Sequence, residues 1–373
     1  MYPALAVLQA LQTLYSQPQF AGAKPGAAAL DVLWVGGAGG IEAGLVKRAG
    51  VPFEAIPAAG LHGVGWQKLP GNLMQLLRGY RQARQVLRRF RPQALFFTGG
   101  YVAGPVALAG RAIPQALFVP DIEPGQALRF LARTARRIAV TAPDSAAYFA
   151  PGAPLVVTGY PVRPDLARWQ RAEARQALGI AADLPTLLVF GGSKGARSIN
   201  RALLAALPQL LERVQVVHIS GALDWPEVEA ARQALAGQAA PAAAGRYHAF
   251  EYLHEEMGAA LAAADLVVAR AGASTLGEFP LFGLPAILAP YPHAWRYQRV
   301  NAEYLQQRGA ALMLPDEALN ARLASTVLDL FDDAGRLQAM RSAALQIAQP
   351  DAARSIARLL IDLAGGAPGK DVN

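Results

Sequence analysis

The residues best suited to chemistry in this chain are small, and they follow short apolar runs. Arg270-Ala271-Gly272-Ala273-Ser274-Thr275-Leu276-Gly277-Glu278 follows Leu266–Ala269, a β-branched run suited to a buried strand of a parallel sheet. A strand that passes through Gly-Ala-Ser-Thr into a helix offers free backbone N–H groups and a dipole that favours an anion. Glu278, near the end of the first turn, is placed to take both hydroxyls of a ribose while the turn holds a phosphate. The same residues also read as a capping box, with Ser274 or Thr275 as cap and Glu278 near the reciprocal position. Both readings stand at this level.

Two more glycine-rich turns share the pattern. Gly191-Gly192-Ser193-Lys194-Gly195-Ala196-Arg197 follows Thr186–Phe190; it lacks the spacing of a Walker loop, yet its amides and Ser193 suit a phosphate cradle. Gly99-Gly100-Tyr101-Val102-Ala103-Gly104-Pro105 follows Leu95–Thr98, either as a close backbone approach to a phosphate or as a plain tight turn. Gly36–Gly40 resembles a dinucleotide loop only weakly, because its glycine spacing is wrong. Asp121 and Glu123 put two carboxylates at a strand end, and Gln298 and Asn301, one helical turn apart, can face one cleft.

The elements that position these residues alternate in type. Short strands are expected at 30–35, 53–56, 95–98, 116–119, 138–141 and 155–158. After the turn Gly159-Tyr160-Pro161-Val162-Arg163-Pro164-Asp165 the alternation restarts, with strands at 186–190, 214–220, 247–253, 266–269, 286–288 and 311–314. Two such sets joined by a Pro/Arg hinge predict two doubly wound Rossmann-like domains of the α/β class with a central cleft, the ligand lying between strand carboxyl ends. The expected division is 1–160, 161–350, and a C-terminal helix and tail at 351–373 that packs back on the first domain. The opening helix at Ala4–Tyr15, with Pro3 at its start, has no strand before it, so a first strand is expected to be missing.

Leu69–Phe90 is the most regular helix, with Leu69, Leu73, Leu76, Tyr80, Ala83, Leu87 and Phe90 forming one apolar face. Arg78, Arg81, Arg84, Arg88 and Arg89 lie off that face, while Trp66, Lys68, Met74 and Leu77 widen the apolar and basic character. The helix reads either as a core helix with a solvated flank or as an interfacial element with arginines on lipid phosphates.

Composition narrows the classes. The 373 residues are 53% hydrophobic and suffice for two cored domains. There is no cysteine, and the five histidines lack metal-ligand spacing, so no metal is expected. The least charged apolar stretch, 92–110, is broken by glycines and Pro105 and does not suit a membrane span. The net charge is +8, and residues 55–120 hold eight Lys/Arg with no Asp or Glu. Such a patch suits an anionic membrane or a polyanionic substrate; aromatics are not interleaved with the basic residues, which disfavours nucleic acid.

Five motifs together resemble the MurG family of N-acetylglucosaminyltransferases: 99–105, Pro161-Val162-Arg163, 191–196, 270–278 and Gln298-x-x-Asn301-Ala302. They run in register over nearly the whole chain. The resemblance implies a GT-B fold and an inverting, metal-independent, cofactor-free transfer of GlcNAc from UDP-GlcNAc to an undecaprenyl-linked muramyl acceptor. It also implies peripheral attachment at the cytoplasmic side of the cell membrane through the first domain. By position, Ser193 and Ala273-Ser274-Thr275 would hold the diphosphate, Leu276 and Gly277 would complete that turn, and Glu278 would take the ribose. Gln298 would bind GlcNAc, Arg163 would line the cleft, uracil would meet backbone at Leu253–His254, and Gly100 and Tyr101 would face the acceptor. The family's general base, a histidine in a glycine-rich loop, would fall upstream of Met1, which leaves Asp121 and Glu123 as substitutes. Val119-Pro120-Asp121-Ile122-Glu123, Tyr160, Trp295 and Tyr297 depart from the family pattern. A related epimerase and a non-catalytic UDP-sugar-binding protein are the alternatives.

Overall fold

The computed structural model describes residues 1–17, 30–39, 42–59, 69–192, 195–237, 245–293 and 296–365. The chain divides into two compact units. One comprises Met1–Pro120, Pro124–Pro161 and the stretch from Asp351 onward; the other comprises Asp121–Glu123 and Val162–Pro350.

The first unit runs α1 (Tyr2–Tyr15), β1 (Trp34–Gly37), α2 (Glu42–Arg48), β2 (Phe53–Ile56), α3 (Leu69–Phe90), β3 (Leu95–Phe97), α4 (Ala103–Ala109), β4 (Gln115–Val119), α5 (Gln126–Ala132), β5 (Arg137–Val140) and β6 (Leu155–Val157). β1 and β2 pair in parallel, and β3-β4-β5-β6 form a parallel sheet in chain order. Every residue of β4 is buried, as a strand covered on both faces requires. Its one polar member, Gln115, is satisfied: Nε2 donates to the Ala107 and Gly110 carbonyls, and Oε1 accepts from the Thr134 hydroxyl. Ile56, Phe97, Val106, Leu117 and Leu128 belong to the apolar cluster beneath these elements.

Two sequence expectations are corrected here. The first strand begins at Trp34 rather than residue 30, because its partner Phe53–Ile56 pairs only with Trp34–Gly37 and so recruits two glycines expected in the loop. In α3, Leu73 is 54% exposed and does not join the buried face. The inward stripe is Gly79, Ala83, Val86 and Leu87. It centres on Gly79, where a Cβ would stand 2.2 Å from the Pro57 carbonyl oxygen. That close approach seats the C-terminal half of the helix and leaves Leu73, Met74 and Leu77 in solvent at 49–54% exposure. Trp66 and Lys68 lie outside the described residues, as do Gly40 and the tail after Gly365.

The second unit runs α6 (Arg171–Ala177), β7 (Thr186–Phe190), α7 (Arg197–Leu210), β8 (Gln215–Ile219), α8 (Trp225–Gly237), β9 (Tyr247–Phe250), α9 (Met257–Ala263), β10 (Leu266–Ala269), α10 (Thr275–Leu281), β11 (Ala286–Leu288), α11 (Tyr297–Gln307), β12 (Ala311–Met313), α12 (Leu319–Asp332) and α13 (Ala334–Gln346). All its strand pairs are parallel. Leu187, Val189, Leu203, Val216, Val268, Ile287 and Val327 are among its core residues. The last helix, α14 (Ala352–Gly365), returns to the first unit and packs on α1.

Candidate functional site

The sheet of the second unit has the order β12-β11-β10-β7-β8-β9, so the direction of strand addition reverses between β7 and β10. A doubly wound sheet opens a crevice at such a reversal, outside the carboxyl ends of its strands. Leu266–Ala269 pairs with Leu187–Phe190 residue by residue, which sets the turn after β7 beside the turn after β10.

The turn after β7 depends on glycine. Gly192 and Gly195 have φ of +87° and +76°. A Cβ on Gly191 would lie 2.3 Å from the Ala196 nitrogen, and one on Gly195 would lie 2.4 Å from the Ser220 carbonyl oxygen. Ser193 and Lys194 lie outside the described residues.

Behind this turn runs a buried polar chain that sequence reasoning missed. Asn200 Nδ2 donates to the Ser220 carbonyl and to Asp224 Oδ2, both at 2.9 Å. His218 Nε2 lies 3.0 Å from Asn200 Oδ1, and Nδ1 lies 2.8 Å from the Tyr247 hydroxyl. An amide oxygen only accepts, so Nε2 carries the proton and Nδ1 accepts from Tyr247. Burial pushes the His218 pKa down to about 3 and keeps the Tyr247 phenol protonated. The one available signal is His218 within β8, where the strand's buried run carries two polar residues, Gln215 and His218.

The turn after β10 is not a capping box. The Ser274 backbone is already helical, at φ −62° and ψ −27°, and its side chain makes no cap bond; a side-chain cap needs extended backbone at that position. Instead the Ser274 side chain hydrogen-bonds the Glu278 carboxyl. Thr275 Oγ1 donates to the Gly272 carbonyl at 2.7 Å. Leu276 packs inward, and the Gly277 amide bonds back to the Ser274 carbonyl. Half-buried Glu278 is pushed up to about 7 by desolvation, against the Ser274 hydrogen bond and the charge of Arg163. Arg163, itself half-buried, pairs with Asp165 at 3.3 Å. The Glu278 carboxyl is therefore poised to ionise near neutrality beside a turn whose Ala273 and Ser274 amides have no acceptor among the described residues.

Arg270 fastens this region from beneath. It donates to the Ala289 carbonyl and the Ser198 hydroxyl, pairs with Asp316, and sits over the Tyr291 ring. It thereby joins the segments after β7, β10, β11 and β12. Ser198 and Asp316 carried no sequence signal for this role.

Gln298 and Asn301 do not share one exposed face. Asn301 is fully buried: Nδ2 donates to the Ala271 carbonyl at 3.1 Å and to Asp121 Oδ1 at 2.8 Å, and Oδ1 accepts from the Ile122 amide at 3.1 Å. These three bonds draw it off the surface. Gln298, half-buried, accepts from the Tyr291 amide at 2.9 Å through Oε1. Asp121 and Glu123 differ as sharply. Burial raises the Asp121 carboxyl, with Asn301 pulling it back. Buried Glu123 is gripped by the Arg296 fork at 2.5 and 2.9 Å. Leu253 is buried beyond β9, and its two chain neighbours, Tyr252 and His254, pair their rings with each other. In the first unit, Gly99 and Gly100 have φ of +107° and +92°, and Tyr101 is 65% exposed. Trp295 lies outside the described residues.

Two Rossmann-like α/β units with parallel sheets define a GT-B protein. The glycosyltransferase family 28 N-terminal domain matches residues 1–140, and the family's C-terminal domain matches residues 186–357. The chain is 41% identical to the UDP-N-acetylglucosamine–N-acetylmuramyl-(pentapeptide) pyrophosphoryl-undecaprenol N-acetylglucosamine transferase of Roseiflexus sp. (strain RS-1), over 96% of this chain and 91% of that one. Against the transferase of the same name from Desulforudis audaxviator (strain MP104C) it is 39% identical, over 98% and 95%. The crystal structure of Acinetobacter baumannii MurG superposes with a TM-score of 0.73 at 27% identity, covering 97% of this chain and 95% of that one. The Neisseria meningitidis UDP-GlcNAc 2-epimerase shares only the fold, at 13% identity and a TM-score of 0.65. The chain belongs to the MurG family of glycosyltransferases.

Proposed function

We propose that the chain is an inverting, metal-independent transferase that moves GlcNAc from UDP-GlcNAc to the 4-hydroxyl of MurNAc in undecaprenyl-pyrophosphoryl-MurNAc-pentapeptide. The observation that carries this reading is the pair of glycine-rich turns set side by side at the strand-order reversal, with Glu278 beside them. The turn at 272–277 and the turn holding Ser193 take the diphosphate, and Glu278 accepts hydrogen bonds from the ribose hydroxyls. Leu253 backs the uracil, Gln298 and Arg163 meet the sugar side, and Gly100 with Tyr101 faces the acceptor.

In the reaction the muramyl 4-hydroxyl oxygen bonds to the anomeric carbon from the face opposite the diphosphate. The anomeric C–O bond breaks, and UDP leaves with the electron pair, its charge stabilised by the turn amides. A base takes the hydroxyl proton. Of the two carboxylates at 121–123, Glu123 is held by Arg296, whereas Asp121 has an oxygen that no described residue engages and a raised pKa. We assign the proton to Asp121. Asp121→Asn should lower kcat by about a hundredfold with donor KM little changed, in line with loss of a general base. Full activity in that variant would remove Asp121 from the mechanism.

The membrane contact is the outward side of α3. Leu73, Met74 and Leu77 are exposed beside Arg78 and Arg81, a combination that suits an acyl boundary with anionic headgroups. No helix among the described residues is long and apolar enough to cross a membrane. This reading places the chain at the cytoplasmic face of the cell membrane.

The deciding assay follows label from UDP-GlcNAc into a lipid I analogue. Transfer with release of UDP and a β-linked product is expected. Bound UDP-GlcNAc with no transfer would make this a binding protein, and formation of the 2-epimer would make it an epimerase.

A further inference from the structure

At the amino ends of β7 and β10, opposite the glycine-rich turns, the second unit has a cavity of about 560 Å³. Arg171, Arg175, Asp183, Asp265, Phe331 and Arg341 are among its lining residues, so three guanidinium groups face two carboxylates. Asp265 is the focus. It accepts from Arg171 Nη2 at 2.5 Å, Arg175 Nη2 at 3.1 Å and the Thr186 amide at 2.9 Å, and Arg341 Nη2 stands 3.6 Å away.

The three arginines are not equivalent. Arg175 is 5% exposed and bonded to the Ala181, Ala182 and Ala263 carbonyls and to Thr186, so it is built into the wall. Its Nε is nevertheless buried with no partner. Arg171 sits in the first turn of α6, where a cation opposes the helix dipole, and Gln170 supplies no side-chain cap. Helix stability alone gives no reason for an arginine there. Arg341, half-buried on α13, makes no hydrogen bond among the described residues, and its ion-pair approach to Asp265 is 3.6 Å. Asp183 and Asp265 leave these three guanidinium groups with one positive charge in excess; Arg171 Nη1 donates to the Ala264 carbonyl at 3.3 Å, so Arg341 carries most of the unused donors.

We propose that this cavity binds a phosphate-bearing small molecule, with its anionic group between Arg171 and Arg341 and its body against Phe331 and Leu337. Two forks on separate helices match the several oxygens of a phosphate better than the two of a carboxylate. The site is separate from the donor turns, which lie at the opposite ends of the same strands.

The test is equilibrium dialysis of labelled inorganic phosphate at constant ionic strength, with UDP saturating so that the donor turns are filled. The wild-type chain should take up one phosphate. Arg171→Gln/Arg341→Gln should bind it at least tenfold more weakly, and Arg213→Gln, a surface arginine paired with Asp332 in the same unit, should match the wild type. Arg341→Gln alone, which breaks no hydrogen bond among the described residues and loses only the 3.6 Å ion pair, should show the same direction of loss and covers the case in which the double variant fails to fold. No uptake by the wild type, or equal uptake by Arg341→Gln, overturns the proposal. These comparisons hold whether or not UDP binds, so failure of the donor reading is seen separately. Competition by glycerol 3-phosphate assigns the cavity to soluble phosphate esters. Competition only by phosphatidylglycerol vesicles, and not by phosphatidylcholine vesicles, assigns it to a lipid headgroup.

Discussion

On the reading proposed above, the outward side of α3 and the carboxyl edge of the second sheet would solve recognition in opposite ways. On α3 the chemistry is exposed and local: Leu73, Met74 and Leu77 lie within about two turns of Arg78 and Arg81. Such a surface suits a fluid partner, because no single contact needs an exact position. At the sheet edge the exposed groups are few, and each rests on buried polar residues drawn from distant parts of the chain. Asn301 reaches Asp121 across 180 positions, and Ser198 reaches Asp316 across 118. A nucleotide diphosphate needs donors fixed to within fractions of an ångström, and only cross-linked elements hold them so.

That contrast can be broken by substitution. The largest effect is expected for Glu278→Gln. Loss of two charge-assisted hydrogen bonds to ribose costs about 3 kcal/mol, roughly a hundredfold in kcat/KM, mostly through donor KM. The carboxyl titrates near 7, and only its ionised form accepts from both hydroxyls. Donor KM in the wild type should therefore rise as pH falls below about 7 and stay flat in the variant. A flat wild-type profile would remove Glu278 from the ribose.

Asn301→Ala comes next. It leaves the Ile122 amide and Asp121 without their partner, and unfolding in denaturant should show a loss of about 3 kcal/mol. If stability is unchanged while activity falls, Asn301 meets substrate directly and the contrast fails at its centre.

His218→Phe should cost about 2 kcal/mol by orphaning the Tyr247 hydroxyl and Asn200 Oδ1. It also carries a pH signature. The folded pKa, about 3, lies below the ordinary 6.5. The unfolded chain therefore binds a proton that the folded chain refuses. The histidine's contribution is fully present above pH 6.5 and is lost as pH falls toward about 3. The difference in stability between wild type and variant should shrink as pH falls below 6.5, pass through zero after about 1.5 pH units and then reverse, because each unit is worth about 1.4 kcal/mol; a constant difference would mean that the ring titrates alike in the folded and unfolded chain.

The smallest change in stability belongs to α3. Leu73→Gln/Met74→Gln/Leu77→Gln should leave unfolding within about 0.5 kcal/mol, because these side chains are already in water. Binding to phosphatidylglycerol vesicles should nonetheless fall about tenfold, while transfer to a short-chain soluble acceptor is kept. A folding defect instead would return these residues to the core.

Much of the architecture was legible because its causes are local. Thr186–Phe190, Leu266–Ala269, Ala286–Leu288 and the helix Leu69–Phe90 read directly from apolar runs and periodicity. The turns were legible because positive φ calls for glycine at Gly99, Gly100, Gly192 and Gly195. Other features were not local. β1 started late because its partner strand set the pairing. Leu73 faced outward because Gly79 seats the helix further along. The capping box gave way to a Ser274–Glu278 contact because the backbone at Ser274 was already helical.

By itself, then, the sequence determined the α/β alternation, the glycine turns and the uneven spread of charge, since each depends on neighbours a few positions apart. Tertiary structure alone decided which turns became neighbours, which of Asp121 and Glu123 stayed unpaired by an arginine, and where the arginines gather around Asp265. Those outcomes depend on strand order and on hydrogen bonds between residues far apart in the chain, and such bonds leave no local trace in composition or spacing.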